Sequence, residues 1–177
     1  MPNHVTNVLT FKKSDLEAVE MVFPQIKEDG IDFNILIPMP DHIYRGWPGI
    51  SVNDDGDFSE ARTSLGWARD NWGTKWNAYS RDFKQSEFDI ESFDIWFDTA
   101  WSVPYPAIIA FANKVKIPFE HRYYDEGGWT WGIETWNVQG NRKVAYREKR
   151  LKDLPEYKTQ LSKALKGWDL GEEEVSG

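Results

Sequence analysis

The chain has 177 residues, 40% hydrophobic and 15% aromatic, and its 29 acids against 21 bases give a formal charge of −8. That is apolar surface enough for one core, with a sign of charge that opposes nonspecific binding to phosphate backbones. The absence of cysteine excludes disulfides, thiolate catalysis and cysteine metal sites, and no apolar run is long enough for a membrane span, so a cytoplasmic protein is expected.

Val5, Asn7, Leu9 and Phe11 alternate with Thr6, Val8 and Thr10, which predicts a first strand. Ser14-Asp15-Leu16-Glu17 has the form of a capping box, and Leu16, Val19, Phe23 and Ile26 follow at helical spacing until Pro24 and Gly30 close the segment. Phe33, Ile35 and Ile37 make a short apolar segment ended by Pro38-Met39-Pro40. Residues 41–57 read as loop. Their Asp54-Asp55-Gly56-Asp57 run superficially suggests a calcium loop, but its twelfth position is Leu65 where such a loop needs Glu, so the reading is a solvated acidic turn. Ser59 is placed to cap a helix with Ala61, Leu65, Ala68 and Trp72 on one face and Gly73 at its end.

Ser80–Glu87 reads as a polar spacer. Phe93, Ile95 and Phe97 alternate with Asp94, Trp96 and Asp98 in a second strand, and Pro104 starts a helix with Ile108, Phe111, Ala112 and Val115 on its apolar stripe. Phe119, His121 and Tyr123 alternate with Glu120, Arg122 and Tyr124 in a third strand, Asp125-Glu126-Gly127-Gly128 makes a turn, and Trp131–Trp136 forms a fourth. Gln139-Gly140-Asn141 turns again into Val144, Ala145 and Tyr146, and a last helix starts at Pro155, carries Leu161 and Leu165 and stops near Gly167. Two β–α units followed by paired strands predict the α+β class: a ferredoxin-like antiparallel sheet with helices on one face. The expected plan is a single domain over 1–168 with an insertion over about 41–87 between its halves, an extra C-terminal strand and helix, and a flexible acidic tail at 169–177.

Met1-Pro2-Asn3-His4-Val5-Thr6-Asn7, Asp32-Phe33-Asn34-Ile35-Leu36-Ile37-Pro38-Met39-Pro40, Asn71-Trp72-Gly73-Thr74-Lys75-Trp76, Thr99-Ala100-Trp101-Ser102 and Tyr124-Asp125-Glu126-Gly127 occur in this order. Together they resemble the YubB ferredoxin-like domain family, small proteins carried by phages, plasmids and genomic islands. The resemblance spans about residues 1–138 and implies the fold and a mobile-element origin, with no catalytic residues to carry over. Val103 departs from it, standing where that family's motif has a proline.

Ten tryptophans point to a stapled core or an aromatic binding surface. The candidate site is a pocket in which Trp72, Trp76 and Trp101 form walls around Lys75, with Gly73 and Thr74 shaping the loop and Asp125 and Glu126 supplying acceptors. The competing reading makes these residues architectural, with Lys75 neutralising Asp125 or Glu126. Neighbouring carboxylates in a turn are a poor acid–base pair, and the three histidines have no metal-ligand spacing, so no catalytic residue, metal or cofactor is expected. The function expected is a non-enzymatic binding or inhibitory protein acting on a host protein, with Asp54–Asp57, Glu87–Asp98 and Glu172–Glu174 as acids that could mimic nucleic acid. The alternatives are a single-stranded nucleic-acid binder using Trp96, Tyr124 and Trp136 on an open sheet face, or a small-molecule domain at the Trp-Gly-Thr-Lys-Trp loop.

Overall fold

The computed structural model of the chain describes residues 3–43, 64–147 and 155–168. In chain order the elements are β1 (His4–Lys12), α1 (Leu16–Val22), α2 (Ile26–Asp29), α3 (Phe33–Leu36), α4 (Ser64–Asn71), β2 (Tyr79–Gln85), β3 (Ser92–Ala100), α5 (Tyr105–Val115), β4 (Phe119–Asp125), β5 (Trp131–Trp136), β6 (Arg142–Arg147) and α6 (Pro155–Lys166). The strands form one sheet in the order β2-β3-β1-β4-β5-β6, with every neighbouring pair antiparallel. Its first four strands make the ferredoxin-like arrangement, in which each helical crossover skips one strand, and β5 and β6 extend it beyond β4.

β1 is the middle of this sheet and is buried from Val5 through Phe11, because both of its faces are covered. On one face Leu9, Phe11, Ile95, Phe97 and Phe119 meet Val19 of α1, Phe33 and Leu36 of α3, Ala68 of α4 and Ile108 and Phe111 of α5. Removing such side chains from water stabilises by roughly 1.5–3 kcal/mol each, and this core is the larger one. On the opposite face Val8, Tyr124 and Trp131 lie under Leu161 and Leu165 of α6. The helices up to α5 therefore share one side, and the extra C-terminal helix closes part of the other. Two buried threonines of β1 answer carboxylates across the β3 ladder: Thr6 donates to Asp98 at 2.8 Å and Thr10 to Asp94 at 2.7 Å.

Four local expectations need correction. The spacer at Ser80–Glu87 is largely an edge strand, β2, whose alternating exposure explains its polar sequence. The capping box does not form, since the chain enters α1 through a short 3₁₀ turn at Lys13–Asp15 with no side-chain cap. Phe33–Leu36 is one helical turn capped by Asp32, which accepts from the Asn34 amide at 2.8 Å, so Ile35 points outward. Trp136 faces the helices and stacks on Phe119 with ring centroids 5.9 Å apart, so it does not share a face with Trp96 and Tyr124. The acidic run Asp54–Asp57, the Ser59 cap and the tail at 169–177 lie outside the described residues.

Candidate functional site

The segments with distinctive sequence converge on the end of the sheet where β1 begins and β3 and β4 finish. Trp101 donates its backbone N–H to the Asn3 carbonyl at 2.9 Å, Glu126 donates to the His4 carbonyl at 3.0 Å, the Thr74 hydroxyl donates to the Ala100 carbonyl at 2.8 Å, and the Ser102 hydroxyl donates to the Gly73 carbonyl at 2.6 Å. Four separate stretches are thus tied to one another by hydrogen bonds that include main-chain atoms. Gly73 permits the tight exit from α4 at φ +77°, where a Cβ would collide with the Pro106 ring.

This frame divides the eight expected site residues. Trp72 is not a pocket wall: it is buried against Trp67 and Phe33, and its indole N–H donates to the Ile37 carbonyl at 2.9 Å. Gly73 and Thr74 are frame. Asp125 is buried in the hairpin after β4, where one carboxylate oxygen accepts from the Trp129 amide at 2.8 Å and the Thr130 amide at 3.2 Å.

Lys75, Trp76 and Trp101 do come together. The Lys75 ammonium stands 3.9 Å from the Trp101 ring centroid and 5.0 Å from that of Trp76. Both indoles reach solvent, Trp76 at 41% and Trp101 at 47% exposure. Among the described residues Lys75 makes no ion pair, so it does not neutralise Asp125 or Glu126. The Arg69 guanidinium approaches Trp101 at 5.9 Å. Trp101 holds a left-handed backbone at φ +75°, a conformation that costs a non-glycine residue about 1–3 kcal/mol and that its neighbours must hold in place. The result is a platform of two part-exposed indoles with an ammonium over them.

Glu126 belongs to an adjoining polar cluster that sequence reasoning missed. Its carboxylate accepts from the His4 amide at 3.3 Å, the His4 ring bonds the Tyr79 hydroxyl, and Lys166 of α6 donates to the His4 carbonyl at 3.1 Å. Burial pushes the Tyr79 phenol up to about 12, with Asp98 and Glu126 adding to the effect. Burial also lowers the Lys166 ammonium, opposed by Asp98, Glu126 and Asp125. Tyr79 touches Trp76 with centroids 6.5 Å apart, so the cluster borders the platform. Nothing local in the sequence joins positions 4, 79, 126 and 166; the sheet order and the packing of α6 on the sheet do.

On the sheet face that α6 covers, Trp96 is stacked on Phe88 with Lys84 over its ring, and Tyr124 is buried. Among the described residues no helix is long and apolar enough to cross a membrane, and no group of three or more His, Asp or Glu is placed to hold a metal ion.

No curated protein and no solved structure matches the chain. A family match begins at the central loop itself and runs through β6 into α6, and it supports the ferredoxin-like reading without the YubB name. Residues 72–159 match the family described as the ferredoxin-like domain in Api92-like protein, in keeping with the ferredoxin-like fold of the sheet.

Proposed function

We propose that this chain is a non-enzymatic binding protein of a phage or other mobile element that docks on, and inhibits, a host protein through the Lys75, Trp76 and Trp101 platform. The observation that carries the proposal is the exposure of two indoles on two hydrogen-bonded loops, one of them held in a strained backbone conformation. Tryptophans of this kind supply large contact area at little entropic cost, and they dominate the energetics of protein contacts. Folding alone gives no reason to keep Trp101 at a positive φ and half exposed.

The proposal puts the contact on the indoles and not on an acidic array. Within Glu87–Asp98, Asp94 has no exposed surface and is occupied by Thr10 and the Glu87 amide, while Asp98 accepts from Thr6. The other two acidic runs lie outside the described residues. The open-face nucleic-acid reading loses Trp136 to the helix-side core and Tyr124 to burial.

A tagged chain is used to capture proteins from a lysate of the bacterial host, beside a Lys75→Ala, Trp76→Ala variant whose folding is verified by circular dichroism. The expected outcome is one enriched protein that the folded variant no longer captures. Equal capture by both would overturn the assignment of the platform.

A further inference from the structure

The helix side of the sheet contains a polar cluster remote from any use in the docking proposal. Glu134 of β5 has no exposed surface, and its Oε1 accepts from the Tyr105 hydroxyl at 2.6 Å and the Tyr123 hydroxyl at 3.0 Å. Its Oε2 receives no hydrogen bond and faces the Arg142 guanidinium at 3.7 Å. Arg142 lies on the outermost strand, with its side chain 36% exposed, and its guanidinium also stands 4.6 Å from the centroid of the Tyr105 ring. A cation thus reaches in from the edge toward a carboxylate with no exposed surface.

His121 of β4 is the register partner of Glu134 and is equally buried. The direction of its hydrogen bond follows from a chain of donors. Thr99 donates its hydroxyl to the Ser102 carbonyl at 2.8 Å, so its oxygen accepts from Asn7 Nδ2 at 3.0 Å; that amide nitrogen also donates to the Val5 carbonyl at 3.1 Å. Asn7 therefore presents its oxygen to His121, and Nε2 carries the proton across 2.9 Å. Nδ1 is left as a lone pair with no partner. Burial, with a smaller contribution from Arg142, holds the imidazole down to about 3, so the ring is neutral in neutral solution.

Two fully buried acceptors on adjacent strands, with nothing donating to either, have a large unmet hydrogen-bonding capacity. We propose that Glu134 Oε2 and His121 Nδ1, with the Tyr105 ring beside them, form a binding site for a small organic cation bearing N–H donors, a guanidinium or an alkylammonium, and that Arg142 is its intramolecular occupant. The carboxylate supplies charge, the imidazole accepts one N–H and the phenol ring faces the cation. At 3.7 Å Arg142 supplies the charge without the hydrogen bonds, which is how a displaceable occupant would sit. A divalent metal fits less well, because the set offers one carboxylate and one imidazole beside a guanidinium.

Agmatine, which carries both an ammonium and a guanidinium, is the probe. Calorimetric titration of the full chain should show at least tenfold tighter binding to Arg142→Ala than to the native protein. Adding Glu134→Gln to that variant should abolish the gain, and tetramethylammonium, which has no N–H, should not bind. In Arg142→Ala the ¹⁵N resonance of His121 Nδ1 should shift on titration, a readout that stands even if the Glu134 variant fails to fold. Binding no tighter than native, an unmoved His121 resonance, equal binding of tetramethylammonium, or a crystal structure of Arg142→Ala with agmatine showing only a water between the two acceptors would each overturn the proposal.

Discussion

Lys75 and Arg142 both stand over an aromatic ring, at 3.9 Å from Trp101 and 4.6 Å from Tyr105, yet they serve opposite arrangements. Lys75 sits on a loop at the converging end of the sheet, makes no ion pair among the described residues, and leaves its indoles facing solvent. Arg142 sits on the edge strand and closes over a carboxylate with no exposed surface. The same pairing of cation and ring presents aromatic surface outward where it is mounted on a loop, and seals an interior where it is mounted on a strand. What lies behind the ring differs: main-chain frame behind Trp101, a buried acid behind Tyr105.

The sharpest way to break this contrast is to remove the support beneath the platform. Trp72→Ala deletes a buried indole and its hydrogen bond to Ile37, and should cost about 3–5 kcal/mol in chemical denaturation. A loss below about 1 kcal/mol would show that Trp72 is not the anchor of the loop.

The enclosed region is tested by pH. The folded pKa of His121 is lowered from 6.5 to about 3, so between these values the unfolded chain binds the extra proton. The stability due to the neutral ring is complete above about pH 6.5 and is lost as pH falls toward 3, with a slope of up to ~1.4 kcal/mol per pH unit. Denaturation midpoints measured across this range should carry that slope, and His121→Gln should flatten it. An unchanged slope in the variant would place the titrating group elsewhere.

The smallest expected effect sharpens the contrast most. Trp101→Gly relieves the positive φ and should leave stability unchanged or raise it by about 1 kcal/mol, while abolishing capture of the host protein. A variant that loses stability instead would make Trp101 a packing residue.

How far the sequence reveals this molecule depends on which interactions are local. β1, β3, β4, β5 and α5 are legible because each carries a full period-2 or helical apolar pattern. β2 is hidden because an edge strand needs little apolar sequence, and Tyr79-Ser80-Arg81-Asp82-Phe83-Lys84-Gln85 carries only two aromatic residues. The helical turn at Phe33–Leu36 is hidden because its length is below what periodicity can register. At the candidate site, residue type alone singles out Lys75, Trp76 and Trp101, which the structure brings together, whereas the burial of Trp72 depends on α3, and the structural task of Asp125 depends on amides four and five residues on. His4, Tyr79 and Lys166 meet only through the strand order and the packing of α6 on the sheet. Glu134 and His121 read as ordinary strand residues until register places them side by side.

The most direct test of the docking account is site-specific photocrosslinking in the host, with benzoylphenylalanine replacing Trp76, Trp101 or Trp129 in turn. Trp129 is the control, since at 80% exposure on the β4–β5 hairpin it offers more open surface than either platform indole. The account predicts one and the same host adduct from positions 76 and 101 and none from 129. Adducts from 129 alone, or none from 76 and 101 in a protein shown to be folded, would contradict it.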